Sequence, residues 1–130
     1  MALPKHVLKL RVLDGVYSYC RLEPGAAVPK WAEDATFSLT VRTRGELGII
    51  CPAANVPGSA KREGPWKIIG IAGTLDFNQV GIIASLAVPL AEAGISMAPI
   101  ASFDTDYLLV REGDLASAKK ALMSAGHAFV

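Results

Sequence analysis

The clearest pattern of apolar and polar positions runs from Gly73 to Val110 and reads as turn, helix, strand, turn, strand. Ile82, Ile83, Leu86 and Leu90 recur at spacings of one, three and four, which places one apolar stripe along a helix. Asn78 is the expected cap at its start, and Gly94 the expected left-handed residue after its end. Pro89 lies inside, where its ring clashes with the carbonyl of Ser85 and kinks the helix. Ile95 to Ala101 and Asp106 to Val110 then read as strands around a turn at Ser102 to Thr105. A strand over Trp66 to Gly73 precedes this stretch. After it, Asp114 caps a second helix with Leu115, Ala118 and Leu122 on one face and Lys119 and Lys120 on the other. Gly126 ends that helix, and His127 to Val130 forms a short last strand. The resulting order β-α-β-β-α-β, with right-handed crossovers, gives a ferredoxin-like α+β fold: two helices on one face of an antiparallel sheet.

The first half is patterned with period two. Two extended runs, VLKLRVL and VYSYCRL, flank Asp14-Gly15, a dipeptide suited to a tight hairpin. Glu23 to Ala35, with Pro24, Gly25 and Pro29, reads as loop or one helical turn, and Trp31 plugs an edge of the core. Thr36 to Thr43 and Leu47 to Cys51 form a second hairpin, with Gly45 supplying its turn. The stretch from Pro52 to Gly64, rich in Pro, Gly, Ala and Ser, is the best candidate boundary. The second half therefore begins near Arg62.

Composition narrows the function classes. With 130 residues, 52% of them hydrophobic, the chain can bury a core and is not disordered. Its 13 basic and 12 acidic residues nearly cancel, so there is no charge footprint for nucleic acid or for an anionic membrane surface. Cys20 and Cys51 stand apart among apolar residues and read as free buried thiols. No signal peptide is visible, and a reducing cytoplasm is the expected location. Gly81 to Phe103 carries only Glu92 as a charge, but Pro89, Gly94 and Pro99 interrupt it, so a membrane span is not expected. There is no GxSxG, HExxH or Walker loop, and His6 and His127 lie near opposite termini. No catalytic residue, metal site or cofactor is therefore expected.

The phrase LDFNQVGIIASLAVPLAEAGISMAPIASFDTDYLLV resembles the ligand-binding half of an ACT domain. The turn FDTDYLLV and, in the first half, DGVYSYCRL, FSLTVRT and ELGIICP are similar to the subfamily of small stand-alone bacterial proteins and cytosolic arginine sensors. The resemblance implies two ACT-like halves packed together, residues 1–61 and 62–130. It further implies a regulatory protein that binds a small molecule, usually an amino acid, and pairs as a homodimer; the chain departs from the larger family architecture in carrying no catalytic domain for the ligand to regulate. Its output would pass through an unknown protein partner. Carried over by position, Asp76, Phe77, Asn78, Gln79, Val80, Gly81 and Ile82 would approach the ligand from one side. Ser102, Phe103, Asp104, Thr105 and Asp106 would approach it from the other.

Those residue types suit the ligand. An amino acid presents a carboxylate beside an ammonium group, and the first turn of a helix offers unpaired N–H donors to the former. Asp104 or Asp106 can accept from the latter. Gly81 lets backbone and ligand approach, and Phe103 can cover an apolar stem or stack on a guanidinium. Each residue also has a purely structural use: Asn78 as a cap, the aspartates in turn hydrogen bonds, Gly81 in helix–strand packing, Phe103 in the core. A structural or protein-interaction module with no small ligand is the alternative function.

Overall fold

The computed structural model describes residues 6–73 and 78–130. In chain order these form β1 (Lys9–Val12), β2 (Tyr17–Leu22), a 3-10 turn (Lys30–Ala32), β3 (Leu39–Arg42), β4 (Leu47–Pro52) and a second 3-10 turn (Ala53–Asn55). There follow β5 (Lys61–Ile71), α1 (Ile82–Glu92), β6 (Met97–Ala101), β7 (Asp106–Arg111), a 3-10 turn (Glu112–Asp114), α2 (Leu115–Ser124) and β8 (Ala128–Phe129). The chain divides into two compact units, Gly15–Trp66 on the one hand and Met1–Asp14 with Lys67–Val130 on the other. The expected boundary at Lys61/Arg62 falls inside β5.

In the larger unit the strand order is β6-β7-β5-β1-β8. A ferredoxin-like sheet would pair its last strand with its first, but here β1 lies between them, antiparallel to β5 (Leu10 opposite Ile71) and parallel to β8 (Leu10 opposite Phe129). The expected hairpin at Asp14-Gly15 is thus corrected. Gly15 does turn the chain, at φ 92, but β1 and β2 do not pair with each other. The cause is core membership: Leu10, flanked by Leu8 and Val12, faces the helices, whereas Cys20 and Leu22 of β2 face a separate core.

The helix-side core of this unit gathers Leu10, Ile69, Ile71, Leu108 and Val110 from the strands. Ile82, Leu86 and Leu90 from α1 and Ala118 and Leu122 from α2 complete it. The expected apolar stripes face this core, with Ile83 and Leu115 only partly buried. Both helices end in the same way. Gly94 (φ 74) follows α1, with Gly94 N–H donating to Ala91 O and Ile95 N–H to Leu90 O. Gly126 (φ 102) follows α2, with Gly126 N–H donating to Met123 O and His127 N–H to Leu122 O. This pairing satisfies last-turn carbonyls and needs a left-handed residue. Asp114 occupies the position before α2, but its side chain makes no capping bond.

Pro89 leaves the Ser85 carbonyl without the N–H that an α-helix would bring to it. That carbonyl accepts from Nε2 of His127 at 2.8 Å, and the other ring nitrogen, Nδ1, accepts from Leu8 N–H at 3.1 Å. The two partners fix a neutral ring with its proton on Nε2, in a side chain only 4% exposed.

The smaller unit orders its strands β3-β4-β2-β5, with the Lys61–Trp66 part of β5 opposite β2. Counted from β2, that is second, third, first, fourth, the order of a ferredoxin-like sheet. In place of both helices stand the 3-10 turns at Lys30–Ala32 and Ala53–Asn55. Pro24, Gly25 and Pro29 precede the first, and Pro52, Pro57 and Gly58 surround the second, which denies either segment a longer helix. β5 begins earlier than its sequence suggests, at Lys61, and passes Gly64 and Pro65 where the register against β2 shifts. The expected β3–β4 hairpin is present, but Gly45 is not the residue that makes it. Thr43 Oγ1 accepts the amides of Gly45 and Glu46 at 3.1 and 3.2 Å, and Gly45 does not take a positive φ.

Cys20, Ala32, Leu47, Ile49 and Cys51 form this unit's core, with Trp31 packed against its edge as expected. Both cysteines are free and buried. Burial pushes the Cys51 thiol up from 9.0 to about 11, with Cys20 and Asp34 adding to the effect and Arg62 opposing it. Burial likewise raises the Cys20 thiol.

Two measurements check this description. Gly94→Ala should lower stability by about 1–2 kcal/mol in urea unfolding, because an alanine there is strained although nothing lies within 4 Å of its Cβ. Gly113→Ala, equally open but without a positive φ, should leave stability unchanged. Between about pH 9 and about pH 11 the unfolded chain binds fewer protons at Cys51 than the folded one, so folding stability falls as pH rises. Cys51→Ala should flatten that fall when urea midpoints are compared at about pH 8 and about pH 11.

Candidate functional site

The end of the larger unit where β5 stops and α1 starts holds the polar turns. Thr105 Oγ1 donates to Ile71 O at 3.2 Å, so the turn between β6 and β7 is tied to the last residue of β5. From that same residue the chain leaves toward Asn78 and α1. The turn is self-supporting: Ser102 N–H and Ser102 Oγ both donate to Thr105 O, at 2.8 and 2.9 Å, and Thr105 N–H donates back to Ser102 Oγ at 3.2 Å. Ser102 therefore spends its hydroxyl proton within the turn, and Thr105 spends its own on tying the turn to β5. What the turn presents outward is Phe103, 81% exposed at its tip, with exposed Asp104 beside it and half-buried Asp106 at its root. Asp106 stands opposite Ala101 at the start of β7.

On the other side, α1 begins later than its sequence suggests. Its first residue is Ile82 and its N-cap is Gly81, at φ 87 in the left-handed region. Asn78 sits upstream in a turn and is not the cap, a correction that follows from the reversal of the backbone at Gly81. The glycine is required by conformation, since a side chain is strained at that φ. Ser85 makes the first intrahelical bond, to Gly81 O at 2.9 Å, and so the amides of Ile82, Ile83 and Ala84 have no acceptor within the helix. Gly81 has no side chain with which to cap them. The Ile82 side chain is buried in the core, leaving only its backbone to face a ligand. Asn78, Gln79 and Val80 are exposed. Asp76 and Phe77 lie outside the described residues.

The first turn of α1 carries backbone N–H donors and the positive end of a helix dipole, and the β6–β7 turn carries two carboxylates, the group types that an anion and a cation respectively require. Among the described residues no group of three or more His, Cys, Asp or Glu side chains could hold a metal ion, and no helix is long and apolar enough to cross a membrane.

Sequence reasoning set His6 aside, and the structure brings it here. Its Nε2 donates to Val80 O at 2.7 Å, and its backbone N–H donates to Ser85 Oγ at 3.1 Å. Nothing local in the sequence pointed to it, because its partners lie 74 and 79 residues away.

Thr105→Val should cost about 0.5–1.5 kcal/mol in urea unfolding, the net worth of one hydrogen bond, by releasing the turn from Ile71. Thr105→Ser, which keeps the hydroxyl, should recover most of that loss.

A family model described as an ACT domain matches residues 61–124, and a second model, of an N-terminal domain, matches residues 15–59. Over 53 residues the chain is 42% identical to the Homo sapiens cytosolic arginine sensor for mTORC1 subunit 1. That match takes in 40% of this chain and 16% of the human protein, so the chain spans under a fifth of that relative. A crystal structure of a protein from Agrobacterium tumefaciens is similar at 34% identity and a TM-score of 0.90, over 96% of this chain and 93% of that one. The regulatory subunit of aspartate kinase from Thermus thermophilus shares the fold, with a TM-score of 0.57 at 9% identity over 95% of this chain and 99% of that one.

Proposed function

Because the chain belongs to the ACT-domain family, we propose that it is a non-enzymatic regulatory protein that binds an amino acid at the β5–α1 end of its second domain, residues 62–130, and acts through a protein partner in trans. It is cytoplasmic and homodimeric in this reading. The observation that carries it is the bond from Thr105 Oγ1 to Ile71 O, which ties the aspartate-bearing turn to the strand end from which the α1 loop departs.

The ligand's carboxylate is received by the first-turn amides of α1, and its ammonium group by Asp106 or Asp104. Asn78, Gln79, Val80 and Gly81 shape the loop side. Phe103 covers the side chain. The exposure of that ring supports stacking on a guanidinium, and the name of the human relative makes arginine the first ligand to try.

Magnitudes bound what these anchors achieve. Each charge-assisted hydrogen bond contributes about 1.5–3 kcal/mol, whereas micromolar affinity needs about 8 kcal/mol after the costs of association. Enclosure of the ligand must supply the remainder, and pairing of two chains would provide it.

Thermal unfolding against a panel of amino acids at millimolar concentration tests the proposal. A ligand at one hundred times its dissociation constant adds about 2.7 kcal/mol, which raises the midpoint of a chain this size by several degrees. Asp106→Ala should weaken that ligand by about tenfold or more while leaving the ligand-free midpoint nearly unchanged. A panel in which no amino acid raises the midpoint sinks the proposal and favours a protein-interaction module.

A further inference from the structure

The N-terminal segment His6–Leu8 is pinned at both ends against α1. At one end His6 N–H donates to Ser85 Oγ at 3.1 Å, and Ser85 Oγ donates to Gly81 O at 2.8 Å. The His6 ring reaches further along the loop, from Nε2 to Val80 O at 2.7 Å. Since a carbonyl oxygen only accepts, that nitrogen carries the proton. At the other end Leu8 N–H donates to Nδ1 of His127, whose Nε2 donates to Ser85 O.

The carbonyls held at the first end are those of Val80 and Gly81, the residues through which the chain turns into α1. Packing does little to hold either of them: the Val80 side chain is 67% exposed and Gly81 has none. Their positions nevertheless decide where the amides of Ile82, Ile83 and Ala84 stand, because these follow directly in the chain. We infer that His6 is a positioning residue for the amino-acid site: docking of His6–Leu8 on α1 holds Val80 and Gly81 so that the first-turn amides face the ligand. This rests on the ligand reading of the preceding subsection.

The docked and undocked forms then differ in ligand affinity, and the apparent affinity scales with the fraction docked. Linkage runs both ways. Whatever the docked segment gives the ligand, the ligand returns to the segment, so occupancy of the site should slow exchange of the Leu8 amide.

The test compares full-length wild type with His6→Leu, which removes the ring donor, and His6→Gln, whose amide nitrogen can reach the same carbonyl. Ser85→Ala is a further variant that removes the acceptor of His6 N–H. Hydrogen exchange of the ligand-free proteins reads the loop, and calorimetric titration with each of the twenty protein amino acids reads the site. Exchange at residues 78–85 should be faster in His6→Leu and Ser85→Ala than in wild type and near wild type in His6→Gln. Affinity for the amino acid that binds should fall about three- to tenfold in His6→Leu, the worth of one net hydrogen bond, and return in His6→Gln. Equal exchange in all four proteins, or equal affinity in wild type and His6→Leu, overturns the inference. A wild type that binds no amino acid overturns the reading beneath it instead. The exchange comparison still decides whether His6 holds the loop.

Discussion

The hydrogen bond from His127 to the Ser85 carbonyl is the interaction on which the candidate site depends. Pro89 creates the need for it by removing the helix's own donor, and the last residues of the chain meet that need. A fully buried carbonyl left without a donor costs about 1–3 kcal/mol, and the half-buried Ser85 carbonyl would bear part of that cost. Its satisfaction also does more than preserve α1. The ring's other nitrogen receives the Leu8 amide, and β1 follows directly behind Leu8. One proline in the middle of a helix is thus joined, through His127, to the residues after α2 and to the approach to β1.

The second half was legible in the sequence because its signals are local. The Ile82, Leu86, Leu90 stripe, the glycines at 94 and 126 and the Ser102–Thr105 turn each depend on residues a few positions apart, and each stands where its spacing puts it. What the sequence hid was long-range or conformational. Asn78 has the chemistry of a helix cap, but the left-handed backbone at Gly81 moves the start of α1 three residues on. Asp14-Gly15 has the chemistry of a hairpin, yet strand partners are chosen by which core the flanking residues fill, and Leu10 and Cys20 fill different ones. Of the candidate site, the turn's shape could be read, whereas the bond from Thr105 to Ile71 and the arrival of His6 could not, because they span 34 and 74 or more residues.

The two units share one plan of strands and differ in how they cover it. Between β2 and β3, and again between β4 and β5, a single 3-10 turn stands where the larger unit has a helix. Prolines and glycines in those segments forbid anything longer. Without a helix there is no first turn of open amides and no dipole aimed at a ligand. The smaller unit accordingly lacks the chemistry that makes the other a candidate site, although its strands follow the same order.

β5 supplies the last strand of the smaller unit and the first strand of the larger, while β1, from the start of the chain, completes the larger unit's sheet. The division visible along the sequence is therefore not a place where the molecule can be cut. A fragment beginning at Arg62 would lack β1, leaving the backbone of β5 bare along one side and β8 without the strand it pairs with. Bare strand edges recruit other chains. The smaller unit is one contiguous piece of chain, whereas the larger is assembled from two.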